Sequence, residues 1–509
     1  MGERVHKSIL NAKVNLLFYF LTIFLSFFSR KVFLECLGTE FIGLTGTLGN
    51  ILGYLNLAEL GIGSCVSYFL YKPLEQNNRQ QIIEIMAIFR YLYRNIGLII
   101  LCSGIILSIS FPWVFSNTEF GLSLVYFSYF SFLASALIEY FINYRQLLLA
   151  ADQKNYIVSS YLQTAQLIKT LVQIYLSYTY KNLYLWVGIE FLFGLVGCFF
   201  LNWKISKEYP WMTTNQQNGK ELLNKYPGIL RNTRQIFIHQ IKDFILSKSD
   251  ELFIFAFVSL SMVSIYGNYT IITSRLSQLF SRALDGIGAS VGNLVAENNK
   301  ELIIDIFWQL SSMRYLITGF LCFSIYFFTE PFILLWLGER YILNHHILIL
   351  LVIYIYLSNI RNVVDMFNHS YGLYADVWAA WTELLLNLSI TIIGGIYWGI
   401  SGILLGKIIS VGIIVTVWKP YYLFTKGIKQ PVSIYWRGTL RYHIIIAISF
   451  GCTLIWSKLL PFCPHEDFFQ FFLYAIANLL VFCTLLAGGF YFFTLGTRHL
   501  LQRINFFKR

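Results

Sequence analysis

The sequence predicts an all-α integral membrane protein of about fourteen transmembrane helices, built as two pseudo-symmetric six-helix lobes followed by two C-terminal helices. Three observations carry that expectation. Of the 509 residues, 57% are hydrophobic and 18% aromatic while only 13% are charged, and the mean hydropathy is +0.60. That is more apolar surface than one water-soluble core buries. Apolar runs of bilayer-spanning length, about 20 residues, recur from end to end and leave no large soluble domain. Finally, segments at 38–46, 59–66 and 74–85 are echoed in the same order at 259–267, 285–291 and 295–306.

Taken in order, the expected spans are 14–37, 42–70, 92–115, 120–144, 156–179, 183–203, 234–259, 262–294, 311–329, 342–370, 376–397, 400–424, 441–461 and 468–496. A β-barrel would alternate apolar and polar residues over short strands of about ten residues. Stretches such as "FLASALIEYFINY" and "ILILLVIYIYL" do not alternate. The first span is a poor cleavable signal, because no small-residue cleavage site follows it. Glu35 in "FLEC" likewise speaks against lipidation of Cys36.

The repeat sets the domain organisation. "LEQNNRQQIIEI" matches "VAENNKELIIDI" at one offset, "GTEFIGLTG" lies over "SLSMVSIYG" at the same offset, and a small indel brings "ELGIGSCV" over "DGIGASV". Six spans separate the copies, so both lobes share one orientation and are related by an axis along the membrane normal. The expected units are an N-terminal lobe at 1–204, a cytoplasmic linker at 205–233, a C-terminal lobe at 234–430, and the last two spans with a cytoplasmic tail at 431–509. The linker is the longest polar segment and carries Pro210 and Pro227.

Lys and Arg fall almost entirely in alternate loops, which places both termini in the cytoplasm. The outer loops hold only Lys181, Arg340 and Lys458 beside several acids. The net charge of +12 is therefore a topology signal, scattered over loops, and implies no nucleic-acid partner. Eight cysteines without C-x-x-C spacing indicate neither a metal site nor a disulfide frame. His345-His346 lies in an outer loop without a third nearby ligand, so it reads as an interfacial pair.

Charges inside spans carry the functional signal, because each costs at least about 2.5 kcal/mol at the bilayer centre and needs a partner, a hydrated cavity or a route to the interface. In span eight, Arg275, Gln278, Arg282 and Asp285 share one helical face. That stripe is either the wall of a hydrated cationic cavity or an ion-pair network between Arg282 and Asp285. Span seven, "IKDFILSKSDELFIF", holds Lys242, Asp243, Lys248, Asp250 and Glu251, too many charges for a lipid-facing helix. Arg361 and Asp365 form an i,i+4 pair in span ten; Glu383 and Asn387 do so in span eleven, and Asn56 and Glu59 sit at i,i+3 in span two. In "FFSRKVFLECLGTEF", Arg30 lies about 24 Å along the first span at 1.5 Å per residue, and Lys31 points about 100° away from it. Arg30 is the expected cavity residue and Lys31 the interfacial anchor.

With these residues on the page, "SRKVFLECLGTEFIGLTG", "LAELGIGS", "LYKPL", "SKSDELFIFAFVSLSMVSIYGNY", "SVGNLVAEN", "LWLGERY", "ELLLNLSI" and "GISGILLGKIIS" resemble the polysaccharide-flippase branch of the multidrug/oligosaccharidyl-lipid/polysaccharide exporter superfamily. The resemblance runs from residue 29 to about residue 410. It implies a transporter, not an enzyme, which alternates between inward-open and outward-open states in the bacterial inner membrane. The implied cargo is an undecaprenyl-diphosphate-linked oligosaccharide, moved to the periplasmic leaflet for O-antigen, capsule or exopolysaccharide assembly. Membrane lipids, a polysaccharide polymerase and glycosyltransferases are the implied partners, and no cofactor beyond H+ or Na+ coupling is implied. Basic residues in the first, seventh and eighth helices line the cavity of such exporters; here Arg30, Lys248, Arg275 and Arg282 occupy those helices, and Arg361 joins them as a candidate for the diphosphate. Glu59, Asp250 and Asp285 are candidates for ion coupling. Lys407 stands where the family more often has Thr in "GTIIS", so no family role is carried to it.

Two other classes compete with this reading. A cation-coupled multidrug exporter shares the architecture but favours an acidic, aromatic cavity. A polymerase or ligase needs a substantial outer loop with paired charges, whereas the outer loops here are short.

Overall fold

The computed structural model describes residues 2–59, 62–116, 118–212, 218–226, 228–229, 245–246, 249–284, 291, 294–295, 299–373 and 376–507. Lys248, Asp285, half of span seven (234–244 and 247–248) and residues 285–290 of the repeat lie outside the described residues. Among the described residues every regular element is helical. They separate into two compact units, 1–255 with 259–264 and 256–258 with 265–509.

Unit one opens with α1 (Gly2–Leu37), which ends at Gly38, where φ of +90° is open to glycine but strained for other residues. The expected second span is not one helix. It is α2 (Thr39–Leu55), a 3-10 turn over Asn56–Glu59, and α3 (Ile62–Glu75). The turn falls where the polar pair Asn56 and Glu59 interrupts the apolar run. Next come α4 (Arg79–Ser108), α5 (Leu122–Phe141), α6 (Asn155–Tyr180) and α7 (Leu183–Glu208). Asn78 caps α4 by accepting the Gln81 N–H at 3.1 Å, and Asn182 caps α7 by accepting the Leu185 N–H at the same distance. Leu44, Leu48, Phe89, Tyr129 and Leu148 share one buried core, and the Tyr129 hydroxyl reaches the Gly104 carbonyl at 3.0 Å.

In the second unit, α8 (Leu260–Leu284), whose first turn counts with unit one, is followed by α9 (Lys300–Leu337). At 1.5 Å per residue, the 38 residues of α9 run about 57 Å, far beyond a bilayer core of about 30 Å. Asn299 caps it by accepting the Leu302 N–H at 3.2 Å, as its repeat counterpart Asn78 caps α4. Then come α10 (His345–Ile360), α11 (Asn362–Ser370), α12 (Val377–Trp398) and α13 (Ile400–Val411), which runs on through π-helical turns to Ile428. Gly394 and Gly402 let α12 and α13 touch backbone to backbone: a Cβ on Gly402 would lie 2.0 Å from the Gly394 carbonyl oxygen. The unit closes with α14 (Ser433–Ser457), α15 (Phe468–Phe493) and α16 (Leu495–Phe507). Aromatic packing joins α9, α14 and α15; Phe323 stacks on Phe482 at 3.9 Å and Tyr442 on Phe490 at 5.4 Å.

Among the described residues, ten helices are long and apolar enough to cross a membrane, and they coincide with expected spans one, three, four, six and nine to fourteen. Span five (α6) and span eight (α8) are helical but more polar. The chain is an all-α, multi-pass membrane protein. Its apolar surface agrees: Phe24 is 78% exposed, Trp113 74% and Tyr397 75%, an arrangement that water would not tolerate and lipid favours.

Candidate functional site

Polar groups inside these spans are held in place by named partners, unit by unit. In unit one, the Arg30 guanidinium on α1 donates to the Ser264 carbonyl at 2.8 Å and approaches its hydroxyl at 3.4 Å. The Arg30 side chain thus reaches the first turn of span eight. Glu251 accepts from the Asn50 amide on α2 at 2.5 Å. Beside it in sequence, Asp250 is buried at 9% exposure.

The broken second span positions Glu59. Ending its helix in a 3-10 turn puts the carboxylate against α4 and α5, where it accepts from the Tyr93 hydroxyl and, at 2.7 Å, from the Tyr140 hydroxyl. Two phenols spread over both carboxylate oxygens make a good environment for a negative charge in a low-dielectric interior.

Unit two assembles a second polar cluster. Arg361, between α10 and α11, donates to Asp365 at 2.7 Å and stands 3.6 Å from Glu383 on α12. Glu383 is 1% exposed, and one helical turn further Asn387 donates to the Ser410 hydroxyl of α13 at 3.4 Å. Lys407, 5% exposed, lies over the Tyr354 ring at 4.7 Å, a cation–π contact that offsets part of its desolvation.

Of the remaining expected cations, Arg275 lies half-buried on α8, Arg282 lies on the same helix with its side chain outside the described residues, and Lys248 and Asp285 are outside them altogether. The structure therefore brings Arg361 to Asp365 and Glu383, sets Arg30 on the start of span eight, and seats Glu59 between two tyrosines.

Several polar partners were not anticipated. Lys169 on α6, 4% exposed, pairs with Glu190 on α7, which also accepts from Gln173 at 3.0 Å. Both are charges inside expected spans five and six, and that alone marks them in the sequence. His443 on α14 meets the Tyr356 hydroxyl of α10 at 2.7 Å. No sequence spacing announces that contact, because the two residues stand in different spans.

No family model and no curated protein matches the chain. Its fold does recur among solved structures. A structure titled lipid II flippase MurJ, inward closed conformation, superposes with a TM-score of 0.66 at 16% identity, covering 97% of this chain and 100% of that one. An inward-facing multidrug resistance MATE family transporter of the MOP superfamily gives 0.57 at 14% identity, covering 84% of this chain and 99% of that one. A MATE structure in a bent conformation gives 0.50 at 13% identity over 85% of this chain. These proteins are transporters and flippases, and what they share with this chain is the fold.

Proposed function

We propose that the chain is a flippase that carries an undecaprenyl-diphosphate-linked oligosaccharide from the cytoplasmic to the periplasmic leaflet, for assembly of O-antigen, capsule or another exopolysaccharide. The observation that carries this reading is the fold shared with a lipid flippase over 97% of the chain. Intramembrane cations support the diphosphate: guanidinium groups meet phosphate oxygens bidentately, and an ammonium meets them as a point charge. Arg30, Lys248, Arg275, Arg282 and Arg361 are the residues we assign to that headgroup. Glu59, Asp250 and Asp285 are assigned to resetting the cycle with H+ or Na+. The protein would act in the inner membrane with both termini cytoplasmic, beside a polymerase and glycosyltransferases.

A second reading, a cation-coupled multidrug exporter, draws on the MATE superpositions. It accounts for less of the molecule, 84% against 97%, and leaves the intramembrane arginines without a use.

The deciding experiment is leaflet accessibility of the lipid-linked glycan in cells depleted of the protein. The flippase reading expects the glycan to accumulate on the cytoplasmic side. Normal arrival in the outer leaflet, in cells without a second flippase, excludes it; drug sensitivity without a glycan defect would favour the exporter.

A further inference from the structure

The last turn of α10 is held from three directions. The Tyr356 hydroxyl bonds His443 Nδ1 on α14 at 2.7 Å. Asn359 receives the Arg314 guanidinium of α9, at 2.9 Å on its carbonyl and 3.1 Å on its side-chain oxygen. Arg361 turns to Asp365 and Glu383. One imidazole, two guanidinium groups and two carboxylates thus meet at residues 356–361.

His443 lies ten residues into α14 and Tyr356 eleven residues into α10, both within the helix packing of the unit. Histidine is the side chain whose charge changes between about pH 5 and about pH 8, and this one is bonded to a phenol of another helix. The groups facing it are few. From α9 come the Tyr315 ring, 5.3 Å away and edge-on, and the neighbouring Arg314; from α10 comes Tyr356. On its own helix stand Tyr435, Tyr442 and Arg441, while α15 contributes the apolar Phe482, Leu486 and Phe490 to the same cluster. No carboxylate among the described residues is bonded to the ring, and Asp365 and Glu383 pair with Arg361.

We propose that His443 is a proton-binding site of the second unit, and that charging it moves the last turn of α10 and with it Arg361. A neutral imidazole accepts the Tyr356 O–H at Nδ1. A proton on Nδ1 makes that atom a donor, so the phenol must rotate and offer its oxygen instead. Tyr356 belongs to the same turn that Arg314 holds through Asn359, so the rearrangement acts on the segment that ends in Arg361. Proton binding itself is independent of any cargo; its use in export rests on the function proposed above.

The test is a histidine titration of the full-length protein in liposomes, followed by solid-state NMR of 15N-histidine between about pH 5 and about pH 8. We expect the resonance missing from H443N to titrate within that range. Its midpoint should shift by at least about two-fold in proton affinity in Y356F, which removes the phenol, and in R361Q, because coupling between two sites is reciprocal. If H443N does not fold, the resonance that Y356F displaces identifies the same ring. A resonance that stays neutral throughout overturns the site; a midpoint indifferent to R361Q overturns the coupling. Neither outcome depends on glycan movement. Failure here leaves the leaflet experiment standing, and a titrating His443 in a protein that fails that experiment leaves the proton site standing.

Discussion

Glu84 and Asp305 occupy the same position of the internal repeat, and each is bound by a helix that follows the spans of its own unit. Glu84 accepts from Lys225 at 2.7 Å and from Tyr226 at 2.8 Å, at the end of the short helix Gly219–Lys225. Asp305 meets His499 of α16 at 2.6 Å. The correspondence extends to the backbone. A Cβ on Gly219 would lie 2.4 Å from the Ala87 carbonyl oxygen, and one on Gly496 would lie 2.3 Å from that of Trp308, and Ala87 and Trp308 are again repeat partners. In each unit an acid and a bare carbonyl thus form a docking place, and two helices unlike each other in sequence occupy it.

Larger residues at these two glycines should release the docked helices. Gly219→Val and Gly496→Val each force a side chain onto backbone, which cannot rotate away, and each should cost about 1 to 3 kcal/mol. Limited proteolysis should then cut within 219–226 in the first variant and 495–507 in the second. Gly488→Ala, which would meet nothing within 4 Å, is the control that should resist cutting like the parent.

Glu383 should be the least replaceable acid of unit two. It is 1% exposed and faces Arg361, so Glu383→Ala takes a buried carboxylate away from the guanidinium. Breaking a buried pair costs about 3 to 5 kcal/mol. Since Arg361 keeps Asp365 and is 24% exposed, a loss of about 2 to 3 kcal/mol is expected. Replacing both residues by Met should cost less than Glu383→Ala. Equilibrium unfolding in mixed micelles would show it, and a double variant weaker than the single one would contradict the pairing.

How much of this was legible beforehand follows from what a helix reports about itself. Apolar runs marked ten spans directly, and the repeat match aligned Asn78 with Asn299, which the structure shows as equivalent helix caps. The i,i+4 pair Arg361 and Asp365 was readable, because both partners lie on one helical path. Contacts between helices were not. Glu383 reaching Arg361, Lys169 reaching Glu190 and His443 reaching Tyr356 each depend on how two spans face one another, which periodicity does not specify. The break at Asn56–Glu59 was missed for another reason: a 3-10 turn of four residues leaves no trace in a hydropathy window of about 20.

Helix contact should separate two glycines of α2. A Cβ on Gly43 would lie 2.0 Å from the Leu260 carbonyl oxygen, while one on Gly49 meets nothing within 4 Å. Gly43→Ala should therefore lower the thermal midpoint by several degrees, at a cost of about 2 kcal/mol or more. Gly49→Ala should be neutral or raise it slightly, since alanine is the better helix former by up to about 1 kcal/mol. Equal effects of the two substitutions would rule out the close approach of Leu260 to α2.

At the membrane surface, Lys154 lies 2.9 Å from both Asp152 and Glu208. Partial burial pulls its pKa down, but the hydrogen bonds to Glu208 and Asp152 outweigh it, and the net direction is upward. A raised lysine contributes stability that is complete below its unfolded value of about 10.4 and disappears as pH climbs through the folded value above that. Lys154→Met should accordingly cost about 0.5 to 1 kcal/mol, constant from about pH 6 to about pH 9. The gap between parent and variant melting curves should close only in the alkaline range above that. A gap that closes near neutrality would place the stabilisation elsewhere.

Arg30 tests whether a cation proposed to bind the headgroup is also a structural one. Its short bond goes to the Ser264 carbonyl, not the hydroxyl, so Ser264→Ala should cost no more than about 0.5 kcal/mol while Arg30→Met, which removes a charge-assisted donor, should cost about 1.5 to 3 kcal/mol. Arg30→Lys separates the two roles. An ammonium can still reach a carbonyl, and the protein should fold with little loss. It presents a diphosphate with a point charge in place of a planar fork, so glycan arrival in the outer leaflet should fall by about tenfold, the equivalent of about 1.4 kcal/mol. Full export by Arg30→Lys and by Arg30→Met, with both at parental levels in the membrane, would leave Arg30 as a brace for the first turn of α8 and remove it from the cargo site. Loss of export confined to Arg30→Met would instead mean that one positive charge suffices there, whatever its shape.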